Sequence, residues 1–460
     1  MFKRFSILRP ILAVLIIFIP LYPKFPLASV TGTYVAIRLD DIIVSVALLF
    51  WLIYQIRHKF PVLREPVTKL FVAYLLAIII SFVNAYFINQ TEPTNILLFH
   101  LLRRFEYISL FFLTISTTKE YPHLREFYIF LALATAGVLA YGFGQKYYSL
   151  PVISTMNSEF SKGQLLQMDN WTRISSTFAG HYDLAAFLSI VLVLIGGVII
   201  TQKNIWLKII NIILWLLSFQ VLTLTASRVS IFAFYGGMCL AILLLKKYFW
   251  IVPVTIVFAF SLSNSKDLNQ RLLATIPALK NQFFPLPKPT ATPVLVVLPT
   301  TPPVAVVVTP IIVKITPLPT IIRKGPIEEQ IPIDTDVGVA RSGEIRFNAE
   351  WPRAITAFKK NVLFGTGLGS ITLATDNDYL RLLGESGSVG FITFMLIFVY
   401  FTIRTIKNRS SPAIIFFAAM ITFMINATLI DVFEASKAAY LFWIMMGFYY
   451  QVLNQKKVTK

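Results

Sequence analysis

Apolar residues fall along this chain in runs of about 17–22, with polar and charged residues gathered between them. Most runs are apolar all round. A helix on a soluble core would keep a polar back, so the pattern reads as helices crossing a bilayer. The runs place spans at about 10–29, 39–57, 68–89, 96–117, 126–147, 183–201, 204–223, 229–246, 248–263, 387–406, 411–430 and 437–454. The run at 248–263 is the shortest and contains Pro253, so the count of twelve turns on it.

Two long stretches interrupt the pattern, at about 148–182 and 264–386. In the second, 285–326 is a Pro-, Thr- and Val-rich segment (PLPKPTATPVLVVLPTTPPVAVVVTP), in which proline prevents both helix and sheet ladders. It reads as a spacer of extended or disordered chain, and its Thr-Pro content also suits a glycosylated stalk. From about Gly343 the pattern changes. Phe347, Trp351, Ile355 and Phe358 recur at helical spacing with Glu350, Arg353 and Lys360 between them, which predicts an amphipathic helix lying on the bilayer or on the bundle. The expected fold is therefore an all-α, polytopic membrane helix bundle of about 12 transmembrane helices. Spans 1–9 occupy 1–263, and a long extracytoplasmic loop carrying the amphipathic helix occupies 264–386, with its structured motif segment at 343–386. Spans 10–12 occupy 387–460. No internal repeat is visible.

Composition strengthens this reading. Hydrophobic residues make up 56% of the chain, against roughly 45–50% in soluble proteins. The net charge of +19 would point to nucleic acid in a soluble chain, but here the positive residues sit between spans and set orientation. Arg57, Lys59, Arg64 and Lys69, then Lys119 and Arg125, Lys203, Lys246 and Lys247, and Arg404, Lys407 and Arg409 mark alternate connections. The positive-inside rule puts these and both termini in the cytoplasm, so the two long stretches face outward from a cytoplasmic (inner) membrane. Lys3, Arg4 and Arg9 precede the first run and no small-residue cleavage site follows it, so it reads as a span and not a removed signal. The single cysteine, Cys239, allows no intrachain disulfide and says nothing of compartment.

Four motifs carry candidate chemistry. Trp171-Thr-Arg-Ile-Ser-Ser-Thr-Phe178 precedes the sixth span and sets Arg173 at the outer surface. A guanidinium fork matches phosphate oxygens and keeps its charge, although an interfacial anchor, with Trp171 in the aromatic belt, is the slightly simpler account. His181 and Asp183 follow, with no second histidine near enough for a metal site. Leu224-Thr-Ala-Ser-Arg228 puts Arg228 in a very short outer connection, where a phosphate or a local carboxylate would balance it. The stretch from Arg346 to Gly390 holds Glu350-Trp-Pro-Arg353, Phe364-Gly-Thr-Gly-Leu-Gly369, Asp376-Asn-Asp-Tyr-Leu-Arg381 and Gly384-Glu-Ser-Gly387. Its three glycines suit a turn ending the amphipathic helix better than a dinucleotide loop, since no strand precedes them. Asp376, Asp378 and Glu385 group near the bilayer surface, where a carboxylate serves as general base, pairs with an arginine or is simply solvated, the last two being the default. Arg103-Arg-Phe-Glu106 lies inside the fourth span, where an internal ion pair and a substrate role are equally open; Asp40 and Asp41 begin the second span and can balance an arginine.

With these motifs in place, the chain resembles the O-antigen ligase/O-antigen polymerase family of bacterial membrane glycosyltransferases. The resemblance runs over most of the chain: the span count, the long outer loop before the last three spans, RISSTF, TASR, and EWPRAI with FGTGLGS and ATDNDYLRLLGESG. It implies transfer of an oligosaccharide from an undecaprenyl-pyrophosphate carrier to a hydroxyl acceptor (a glycan or a lipid) on the outer face of the membrane, with no metal and no cofactor. It also implies other polysaccharide-assembly proteins as partners and no nucleic acid. Family arginines bind the pyrophosphate, and the matching positions here are Arg173, Arg228 and Arg346. Arg353 and Asn377 join them as candidate substrate-binding residues, with Asp376 and Glu385 as candidate catalytic bases. Family ligases carry a histidine before asparagine after the glycine turn. Here that pair reads Asp376-Asn377, which leans toward a polymerase or another branch. The Pro/Thr segment is also foreign to the family pattern. Two other classes stay open: a polytopic transporter or flippase, and a non-catalytic partner in polysaccharide export.

Overall fold

The structure, a computed structural model, describes residues 7–23, 26–29, 36–89, 94–118, 124–151, 173–264, 345–371 and 375–455. The Pro/Thr-rich segment 285–326 and most of the stretch 148–182 lie outside the described residues. The helices, in chain order, are α1 (Leu8–Leu21), α2 (Leu39–Arg57), α3 (Thr68–Asn84), α4 (Thr94–Thr118), α5 (Leu124–Tyr147), α6 (His181–Thr201), α7 (Ile205–Leu224), α8 (Arg228–Leu244), α9 (Ile251–Asn264), α10 (Trp351–Lys360), α11 (Asp378–Asn408), α12 (Ser411–Asn426) and α13 (Ser436–Asn454). Every apolar run read from the sequence contains a helix. By length and composition, six of these helices (α2, α3, α5, α6, α7 and α11) are long and apolar enough to cross a membrane. The helices α1, α8 and α12 and the stretch Tyr248–Phe260 are apolar but shorter.

Two boundaries differ from the sequence pattern. The first helix stops at Leu21 and not near residue 29, because Pro20 and Pro23 remove backbone donors, and the chain turns into a short ribbon. There Pro26–Ser29 (β1) pairs antiparallel with Ala36–Arg38 (β2). At the other boundary α11 begins at Asp378, well before residue 387. Gly387 has φ 65° and ψ −172°, so α11 is two helical rods joined at a glycine joint.

Hydrogen bonds between helices sort their ends. At one end, the Asn426 side chain at the close of α12 donates to Ser189 Oγ of α6 and accepts from Ser230 Oγ of α8. At that end Ser81 near the close of α3 donates to the Glu385 carbonyl, and Tyr440 of α13 donates to Asp41 of α2. At the opposite end Arg9 of α1 pairs with Glu126 of α5, Tyr450 donates to Glu65, and Arg404 donates to Asn454. α1 to α3, and α11 to α13, therefore run in alternating directions. The first end carries the motifs; the second carries Arg57, Arg64, Lys69, Arg404 and Lys407.

The core follows from which runs are apolar all round. α6 is buried along nearly its whole length, covered by α7, α8, α12 and α13, while α7 leaves Ile205, Trp206, Ile210 and Ile213 exposed on its outer face. Association of helices in lipid depends on close packing and not on water exclusion, so small residues sit at the crossings. Gly196 faces Met238 and Trp215, Gly197 faces Ile415, and Gly237 faces Thr422. Aromatic rings fill the centre of α11–α13, with Phe423 stacked on Phe442 at 4.2 Å and Phe433 edge-on to Phe423 at 4.9 Å.

Candidate functional site

The residues just before α6 form a buried plug. Ser175, Ser176 and Thr177 are all buried. Gln145 of α5 accepts from Ser176 N and donates to Ser176 O, Ser176 Oγ donates to Val138 O, and Thr177 Oγ1 donates to Pro20 O. Lys437 is fully buried: its ammonium donates to Thr177 O (2.7 Å) and Pro20 O (3.2 Å) and stands 4.8 Å over the Phe178 ring. A buried ammonium needs such partners, since taking it from water costs several kcal/mol. The small hydroxyl residues of RISSTF thus serve to pin the strand, and Arg173 and His181 emerge at its two ends. Arg173 Nη1 donates to His181 Nε2 at 2.9 Å, which leaves the proton of a neutral imidazole on Nδ1. This pair stands at the N-terminus of α6, where the helix dipole favours an anion.

The segment before α10 reaches the same place. Arg346 opens a wide, π-type turn, Arg346–Glu350, that leads directly into α10. Its guanidinium donates twice to Asp376 Oδ2, at 2.7 and 2.9 Å, and also bonds the Tyr182 hydroxyl on α6. Burial works against the Arg346 charge, but Asp376 and Tyr182 outweigh it and raise its pKa. Burial lifts Asp376 above the ordinary carboxylate range, with Arg346 opposing. One turn on, burial together with Asp376 and Asp431 pushes Glu350 up to about 7, against the pull of Arg346 and Arg353. Three polar atoms within a single turn of this segment are buried with no hydrogen-bond partner among the described residues: Glu350 Oε2, Trp351 Nε1 and Arg353 Nε. Buried polar groups are nearly always satisfied, so three within one turn make this segment the candidate site.

Beside this open cluster lies a closed one. Arg381 of α11 donates to Glu385 Oε1 (3.2 Å), to Asp431 Oδ2 (3.1 Å) and to Ile371 O (2.9 Å). Asp431, in the connection between α12 and α13, also accepts from the backbone N–H groups of Thr375 and Asn377. Arg104 of α4 pairs with Glu434 and donates to Phe433 O. The glycine turn is wedged against this cluster. Gly365 and Gly387 adopt positive φ where the turn crosses the joint of α11, and a Cβ on Gly365 would lie 2.4 Å from the Glu385 carbonyl.

The residues named from the sequence separate accordingly. Arg173 and Arg346 meet at α6 through His181 and Tyr182, and Asp376 and Arg353 stand beside them. Arg228 opens α8, whose first turn is tied to α6 through Ser230, Asn426 and Ser189, so it stands at the same end. Asn377 is an N-cap: its side chain accepts from Leu380 N at 3.0 Å. Glu385 is 2% exposed and spent on Arg381, away from any open surface. Sequence reasoning left Glu350, Tyr182 and Asp431 out of the site. The spacing Glu350-Trp-Pro-Arg353 was visible, but nothing in it shows that Glu350 is half-buried among carboxylates. No group of three or more His, Cys, Asp or Glu side chains among the described residues could hold a metal ion. No family model matches the chain, and no curated protein matches it.

Proposed function

We propose that this is a polytopic membrane glycosyltransferase of about twelve spans. In this reading both termini are cytoplasmic and the motif-bearing end faces outward. It transfers an oligosaccharide from a polyprenyl-pyrophosphate carrier to a hydroxyl acceptor, as the resemblance to O-antigen ligases and polymerases implies. The observation that carries the reading is the three unpartnered polar atoms of Glu350, Trp351 and Arg353 beside two arginines at the N-terminus of α6. The basic residues gathered at the opposite end support the orientation.

The chemistry assigns itself by charge. The acceptor oxygen attacks the anomeric carbon, and the bond from that carbon to the diphosphate oxygen breaks. Arg173 and Arg346, with the α6 N-terminus, stabilise the negative charge that grows on the leaving diphosphate. Glu350, near pKa 7, takes the acceptor proton. Asp376 orients Arg346 and adds to the pressure on Glu350. Glu350 replaces Glu385 as base in this proposal, because Glu385 is buried in its pair with Arg381. The test is the length of lipid-linked or surface polysaccharide on a gel in cells carrying Arg173→Ala with Arg346→Ala. Unchanged product in that double variant sinks the diphosphate role.

A transporter is the second reading, favoured by Asp40, Asp41, Arg103 and Glu106 inside the helical bundle. Movement of a solute by purified protein in liposomes, with no change in any lipid-linked glycan, would decide for it.

A further inference from the structure

Apart from this site, α2 and α4 enclose a groove of about 480 Å³, within the range of roughly 300–1,000 Å³ found for small-ligand sites. Asp41, Ser45, His100, Arg103, Glu106 and Ser109 give it a polar, charged floor. Its wall includes Leu102, 52% exposed, and Ile42 and Leu49 stand exposed beside it on α2. The rim therefore faces the surroundings as apolar surface while the floor is ionic. Glu106 Oε1 is buried and has no hydrogen-bond partner among the described residues.

The composition of the groove selects its occupant. A hydrocarbon chain alone would leave Asp41, Arg103 and Glu106 against apolar atoms, which costs several kcal/mol for ionised groups in a membrane. A simple anion would meet two carboxylates. A sugar offers hydroxyl groups that donate to Asp41 and Glu106 and accept from Arg103, and lipid chains attached to it would lie along the apolar rim. The groove also reaches the glycine turn beside the closed cluster. His100 lines it and packs on Gly369 of the glycine turn, where a Cβ would come within 2.5 Å of the ring.

We propose that the α2–α4 groove binds a glycolipid, with the sugar on the ionic floor and the chains along the exposed rim. Naming this lipid the acceptor of the transfer rests on the function proposed above; the binding itself does not.

The experiment uses the full chain in nanodiscs with a diazirine-bearing glucosyl-diacylglycerol, and a phosphatidylcholine of the same chains as control. The glucosyl probe labels peptides of α2 and α4, and unlabelled glucosyl-diacylglycerol competes it away. Ser45→Trp fills the groove from an exposed position and abolishes that labelling. Glu106→Gln keeps the shape but loses charged hydrogen bonds, and lowers labelling about tenfold. Thermal melting confirms that both variants fold. Equal labelling of α2 and α4 by the phosphatidylcholine probe overturns the proposal, as does full labelling of both variants. Labelling is read without turnover. If it persists while Arg173, Arg346 and Glu350 variants leave every glycan unchanged, the transferase reading fails and the glycolipid site stands. If transfer depends on those residues and labelling is absent, only the groove is wrong.

Discussion

Two ionic clusters lie side by side at one end of the bundle, and they differ in what completes them. Around Arg381 each strong donor meets a protein acceptor: Glu385, Asp431 and the Ile371 carbonyl. Around Glu350 the same kinds of group are present, yet Glu350 Oε2, Trp351 Nε1 and Arg353 Nε have no partner among the described residues. The first arrangement fixes structure, since a buried charge with all its partners gains nothing by moving. In the proposed function the second keeps its binding capacity for the substrate. Identical residue types therefore do different work, and the difference lies in satisfaction and not in charge.

The comparison breaks first at Arg381. Arg381→Met leaves Glu385 buried without its cation, and the folded protein should lose about 3–5 kcal/mol, read as a lower melting temperature and poor recovery from detergent. Glu350→Gln should leave the melting temperature alone and slow transfer by about 100–10,000-fold. Its pH profile sharpens the point. A carboxylate raised to about 7 becomes a base as pH climbs, so the wild-type rate should rise tenfold per pH unit below pH 7 and level off above it. The Glu350→Gln profile should be flat there. Arg173→Ala alone should cost about 100–1,000-fold in transfer with stability retained; a melting temperature that falls as far as in Arg381→Met would move Arg173 into the closed cluster. Asn377→Ala is the smallest, a lost cap worth about 1 kcal/mol, with transfer per folded molecule unchanged.

How far the sequence reached can be traced in the same residues. The apolar runs are readable because a helix facing lipid must be apolar on its exposed surface, and each run contains a helix here. The glycine turn and the amphipathic α10 followed from spacing and from the positive φ that glycine supplies at 365, 367 and 369. The end of α1 at Leu21 is marked by Pro20, Pro23 and Pro26, whose missing donors override the apolar run that continues to residue 29. The division of the acidic residues was not legible at all. Glu385 and Glu350 look alike in sequence, and only Arg381 four residues before Glu385 hinted at a helical pair. What assigns Asp431 to that pair is a contact across 50 residues, set by the packing of α11 on the connection before α13.

The buried Lys437 bears on how the protein is made. Its ammonium ties the Pro20 carbonyl at the close of α1 to the Thr177 carbonyl before α6, yet it belongs to α13. Both carbonyls reach the membrane during translation long before α13 does. The earlier helices must therefore wait with this corner unlatched, and the bundle closes only after insertion of α13. Removing α13 should give a chain that inserts but stays loosely assembled, a natural target for membrane proteases and quality control.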